Sequence, residues 1–172
     1  MNNLSSNGAP HRDFALVFWW LTTLGWAGLI FYLSTGTFGG AFTAWLLHQI
    51  LDFLRVGVSA EAFASLHFLV RKLAHVTEYT MYGMLLYGSL GSGRDFTWKA
   101  HRAVWCVAIA AAYSLTDEFH QSFVPGREAS WTDCGIDAAG AALAMLLLYA
   151  ANRIFQARAN STAARKETPA EK

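Results

Sequence analysis

Three apolar stretches of this chain each carry ionisable residues at one end: Lys72, His75 and Glu78 in one, Asp117, Glu118 and His120 in the next, Asp133 and Asp137 in the last. A charge at membrane depth costs on the order of 2.5–3.5 kcal/mol even on the gentlest scale, so charges kept there point to a site. These residue types could do three kinds of chemistry. His75 or His120 could act as a general base, with Glu78 or Glu118 orienting the imidazole and Asp117 sharing protons in a crowded carboxylate group. Lys72 and Arg127 could hold a phosphate or carboxylate, the arginine through paired hydrogen bonds, while Tyr79, Gln121, Asp133 and Asp137 take sugar hydroxyls or peptide amines. Alternatively the charges pair with one another, fix a helical bundle or pass protons, as buried charges in membranes usually do. Hydrolysis or group transfer lacks an obvious nucleophile, because Ser114 and Ser122 lie in no nucleophile elbow. His75, His120 and two carboxylates offer suitable metal donors, but their spacing matches no standard metal motif, and no metal or cofactor is expected.

Composition says what must position these residues. Of 172 residues 54% are hydrophobic and only 15% charged, and the chain has seven Trp, which fits a compact integral membrane protein rather than a small soluble domain. A net charge of +1 gives no reason to expect nucleic acid as a partner. Cys106 and Cys134 form neither a metal knuckle nor a disulfide framework.

Residues 14–34 hold no charge and suffice for one span, which needs about 20 residues. This apolar stretch is too long for a signal-peptide core and is expected to stay uncleaved. A second span covers about 72–91. The uncharged stretches 103–116 and 138–151 are too short to cross alone, so the third span must run through about 103–122 and the fourth through about 133–152, taking in their carboxylates. At about 1.5 Å rise per residue, Glu78, Glu118 and Asp137 then lie roughly 20–24 Å from the opposite ends of their spans, at one depth.

Lys and Arg set the topology. Arg94, Lys99 and Arg102 between spans two and three, and Arg153, Arg158, Arg165, Lys166 and Lys172 after span four, place those segments and both termini in the cytoplasm. The charged ends therefore face the outer leaflet. Trp19, Trp20, Trp98 and Trp105 mark the inner interface, and Trp45 and Trp131 the outer one. In residues 41–56, His48, Asp52 and Arg55 share one helical face, as expected of a helix lying in the interface; a re-entrant hairpin is the alternative for 41–70. Gly57-Val58-Ser59 reads as a break with Ser59 as a helix cap, after which His67, Arg71, His75 and Glu78 continue a stripe into span two. Residues 1–13 form a cytoplasmic N-terminus, 14–152 a single transmembrane domain, and 153–172, without an apolar face, a disordered cytoplasmic tail. The expected fold is thus all-α: a four-span bundle with an interfacial or re-entrant helix between the first two spans.

Helical phase refines the candidates. Lys72, His75, Tyr79 and Tyr82 share one face, with Glu78 beside them. Tyr113, Asp117, His120 and Gln121 share another, with Glu118 turned about 100° from Asp117. Asp133 and Asp137 continue into Gly140, Ala141 and Ala144, small residues that let backbones approach closely. Arg71 reads as a headgroup-level anchor.

The runs Lys72-Leu73-Ala74-His75-Val76-Thr77-Glu78-Tyr79 and Thr116-Asp117-Glu118-Phe119-His120-Gln121-Ser122-Phe123-Val124-Pro125-Gly126-Arg127 resemble the signature of the VanZ-like family, and the similarity extends through Asp133 to Gly140. Asp137 stands where the family more often has Asn, and Ala144 where Gly is common. The resemblance implies a bacterial inner-membrane protein of the type linked to low-level teicoplanin resistance, or to envelope upkeep more generally, without supplying an established reaction. Three readings follow. The polar chamber binds a membrane lipid, a lipid-linked envelope intermediate or a lipoglycopeptide; or it is the active site of a hydrolase or transferase acting on such a lipid; or it is a structural or proton-passing cluster.

Overall fold

The structure, a computed structural model, describes residues 9–91, 95, 97–125 and 130–167. Among these residues it is all-α, with helices α1 (Ala9–Leu33), α2 (Gly40–Phe53), α3 (Ala60–Leu90), α4 (Ala100–Gln121) and α5 (Trp131–Glu167), and one 3-10 turn at Gly36–Phe38.

The break between α2 and α3 falls where the sequence places it. Arg55 adopts φ 56°, in the left-handed region, and stops α2. Ser59 is extended, and its side chain accepts from Ala62 N, satisfying a donor left open at the start of α3. The helix extends beyond the expected span on its N-terminal side. It begins at Ala60, right after the Ser59 cap, and runs on through 72 because no Gly or Pro between 60 and 72 interrupts it. At 31 residues it is about 46 Å long, so the stripe and the span form a single rod. The C-terminal end differs too. α5 runs on to Glu167 across the segment read as a disordered tail, since the packed half nucleates a helix that Ala, Arg and Gln can propagate. Residues 153–162 are exposed along this extension.

α5 packs along α3 and α4, α1 lies on α3, and α2 rests on α3 beside the 3-10 turn, with Leu47 as its buried residue. The α3–α5 seam is close because its residues are small. A Cβ at Gly140 would sit 2.7 Å from the Val76 carbonyl oxygen, and one at Gly83 would sit 3.1 Å from the Ala144 Cβ. Thr80 Oγ1 donates to Gly140 O (3.0 Å) across the seam. Ile30, Tyr79, Tyr82, Leu86, Tyr87, Cys106 and Met145 fill the interior.

The exterior is apolar over long helical faces: Phe14, Val17, Phe18, Leu21 and Leu24 on α1, Val104 and Trp105 on α4, Leu146 and Leu147 on α5. A soluble monomer rarely exposes such contiguous faces, and the chain is a helical membrane protein. Phe14–Leu33 and Trp131–Thr162 are long and apolar enough to cross a bilayer. α3 and α4, at 31 and 22 residues, have the length for it. Two of the tryptophans pack within the bundle. Trp98 stacks on Tyr87 and meets Tyr149 edge-on, and Trp19 packs where a Cβ on Gly88 would lie 2.5 Å from its ring.

Candidate functional site

α3, α4 and α5 bring their charged ends together. From α3, Lys72 forms an ion pair with Asp133 of α5 while lying 5.1 Å from the Phe68 ring centroid. One turn on, His75 Nδ1 meets Asp137 Oδ1 at 3.0 Å. A carboxylate can only accept, so Nδ1 carries the hydrogen and Nε2 is the ring nitrogen left for another partner. Asp137, 1% exposed, accepts a second bond at Oδ2 from Ser114 of α4 (2.6 Å). The carboxylate that orients His75 is therefore Asp137, not Glu78 or Glu118.

α4 buries Ser114, Asp117, Glu118 and Gln121, which recur at i, i+3, i+4 and i+7. Asp117 Oδ2 accepts from Ser34 Oγ at the end of α1 (2.6 Å) and from Gln121 Nε2 (2.8 Å). Asp117 Oδ1 is buried without a hydrogen bond among the described residues. Glu118 Oε2 accepts from the backbone N of Ser130, just before α5 (2.6 Å). The adjacent carboxylates thus serve different neighbours, one α1 and the other α5. Here Glu118 joins Asp117 and Gln121 on the buried face, while His120 sits half-buried at its edge. His120 tilts against Phe31 of α1 (4.5 Å between centroids), with Nδ1 unpaired among the described residues. His75 and His120 do not converge, and among the described residues no three His, Cys, Asp or Glu side chains are placed to hold a metal.

Tyr79 is fully buried, edge-on to Tyr82 (6.2 Å), with its hydroxyl unpaired among the described residues. Arg127 lies outside the described residues. Ser34 was not singled out from the sequence, and Ser114 was weighed only as a nucleophile. A hydroxyl at the end of an apolar run reads as a helix terminus, and nothing in its spacing marks an acceptor 83 residues away.

A cavity of about 170 Å³ opens beside this network, with Ser34, Thr43, Arg71, His75, Glu78 and Gln121 supplying its polar wall and Phe38 and Phe42 covering it. An apolar groove of about 410 Å³ runs between α1 and α3, lined by Trp26, Leu29, Ile30 and Leu33 and by Val70, Leu73, Ala74 and Thr77. Leu33, Val70, Ala74 and Glu78 wall both spaces, so the groove and the polar cavity adjoin. Trp26 Nε1 donates to Glu78 O (3.0 Å) and ties α1 to α3 alongside the groove.

The opposite end of α3 holds a second polar cluster. Lys99, Thr97 and Arg102 hold the Asp95 carboxyl well below the usual carboxylate range. Arg102 reaches Asp95 Oδ2 (2.9 Å) and lies 4.9 Å from the Tyr87 ring centroid. The Tyr87 hydroxyl donates to Thr97 O (2.9 Å) and accepts from Lys99 N (2.8 Å).

No curated protein and no solved structure matches the chain. The VanZ/LLP1 family model matches residues 18–155, a stretch that contains the cavity, the groove and the whole charged cluster, and the chain belongs to that family.

Proposed function

We propose that this is a four-span inner-membrane protein that binds an amphiphile of the outer leaflet, a lipid-linked envelope intermediate or a lipoglycopeptide of the teicoplanin type. Its polar head would enter the cavity at His75 and its chain would lie in the groove between α1 and α3. The observation that carries this reading is the shared wall: a polar cavity and a groove lined almost wholly by apolar side chains meet at Leu33, Val70, Ala74 and Glu78. A lipid presents those two surfaces in that order. Family membership fits the teicoplanin connection, and an acyl tail would explain why a lipidated glycopeptide is the one affected. Outer-leaflet placement rests on charge: Lys99, Arg102, Arg153 and Arg158 lie at the end of the bundle away from the cavity, and cytoplasmic segments carry the excess of Lys and Arg.

Native mass spectrometry of gently purified protein tests the reading. Wild type should retain an envelope lipid, and Ala74→Trp, which fills the space where cavity and groove meet, should lose it while still folding. A bare polypeptide mass for wild type, or unchanged retention in the variant, would refute it.

One observation favours a second reading. His75, held at Nδ1 by a buried aspartate and lining the cavity, has the arrangement of a general base with its orienting carboxylate. Under this reading His75→Gln abolishes turnover of a bound lipid and leaves its retention intact. Equal loss of retention would remove the need for chemistry.

A further inference from the structure

Resting on the amphiphile reading, we propose that the head bound in the cavity is a phosphate and that Arg71, not Lys72, is the residue that recognises it. Lys72 was the natural candidate from the sequence, but its charge is already met by Asp133. Arg71 is the next residue back along α3. It lines the cavity four residues before His75, so the two lie on one helical face. It is half-buried, yet it makes no ion pair among the described residues. Its guanidinium lies beside α2, where a Cβ on Gly40 would come 3.6 Å from Nη1. Thr43 and His67 bond across the same α2–α3 junction (2.8 Å) and fix the rim there.

A guanidinium taken partly out of water without a counter-charge is costly, and an anion that reaches it removes the cost. Its fork of donors matches two phosphate oxygens, which a lysine ammonium does not. Gln121, through the amide hydrogen it does not give to Asp117, is the other cavity group able to donate to phosphate oxygens, and the Nε2 of His75 joins it when the imidazole carries both protons. Size narrows the class. At about 170 Å³ the cavity is below the roughly 300–1,000 Å³ of sites that enclose drug-sized ligands, so it takes a phosphate and its first linkage, while any sugar or peptide stays outside. The ligand class is a lipid phosphate, whether a polyprenyl phosphate or a glycerolipid phosphate.

The test measures retention by full-length protein in neutral detergent of three probes: a polyprenyl phosphate, dioleoyl phosphatidate and dioleoylglycerol, which has the same chains as the second and no phosphate. Arg71→Gln should weaken retention of both phosphate lipids about 10- to 100-fold and leave dioleoylglycerol unchanged. Arg71→Lys should fall between, because the charge survives and the paired geometry does not. Preference for one phosphate lipid identifies the source, and displacement of both by inorganic phosphate shows that the phosphate alone is read. Phosphate lipids held by Arg71→Gln as firmly as by wild type would overturn the proposal. So would a loss of dioleoylglycerol equal to that of the phosphate lipids. If Arg71→Gln does not fold, Arg71→Lys decides, and retention equal to wild type overturns it. Wild type that retains none of the three probes contradicts the amphiphile reading itself, a different failure.

Discussion

The two ends of α3 carry polar clusters of similar composition and opposite character. At the Leu90 end, Asp95 is met by Lys99, Thr97 and Arg102, and Arg102 is covered by Tyr87, whose hydroxyl closes the turn from both sides. At the Arg71 end, Lys72–Asp133 and the chain His75–Asp137–Ser114 are paired, but Asp117 Oδ1 and His120 Nδ1 are buried without partners among the described residues. Arg71 there faces a cavity. Buried polar groups are normally satisfied, so the incomplete cluster, next to a cavity lined by Arg71 and His75, is the one the proposed function draws on. The complete cluster holds a turn; the incomplete one is where the proposed site lies.

Substitutions can break this contrast, starting with the largest expected effect. Asp133→Ala leaves Lys72 as an unpaired ammonium, and the loss should lie near the lower end of the roughly 3–5 kcal/mol typical of broken buried pairs, because the Lys72 side chain keeps 22% exposure. Replacing both partners, Lys72→Met with Asp133→Leu, should recover most of that loss in detergent unfolding. A double variant as unstable as the single would show that the pair does more than neutralise itself. Gly140→Ala pushes a methyl against the Val76 carbonyl and should cost about 1–3 kcal/mol, read in the same assay. Asp117→Asn and Glu118→Gln should keep the fold and lose lipid retention, whereas unfolding of both would make the site cluster structural like its counterpart.

The smallest effect sharpens the comparison at the other end. The Asp95 carboxyl is held below its usual range, so its contribution to stability is present above about pH 4 and is lost as pH falls toward its lowered value. Asp95→Asn should lower the melting temperature modestly at neutral pH. The gap from wild type should close on acidification, and lipid retention should not change. A pH-independent gap would mean that the carboxylate charge is not what holds the turn.

Much of this arrangement was legible in the residues, for identifiable reasons. The Ser59 cap and the break before it follow from side-chain chemistry at two or three positions. The small-residue stripe from Gly140 to Ala144 predicted a close seam and forms one. Helical phase was harder. On α4 the stripe of Tyr113, Asp117, His120 and Gln121 and that of Ser114, Asp117, Glu118 and Gln121 share two members, and only packing against α1 and α5 selects the second. Partner identity was hardest. Lys72 and Arg71 differ by one position and about 100° of rotation, yet one is neutralised by Asp133 and the other lines the cavity. Ser34 reaches Asp117 only because α1 ends at that depth.

Photo-crosslinking tests the central claim most directly, using a lipid phosphate with a diazirine near the end of its chain, incubated with wild-type protein. Labelled peptides should map to the groove walls, Trp26 to Leu33 of α1 and Val70 to Thr77 of α3, and the labelling should disappear with excess unlabelled lipid and in Ala74→Trp. Labelling spread evenly over the exposed apolar faces at Phe14, Leu21, Val104 and Leu147, and insensitive to competitor, would mean that the groove is ordinary lipid-facing surface and that no amphiphile site exists.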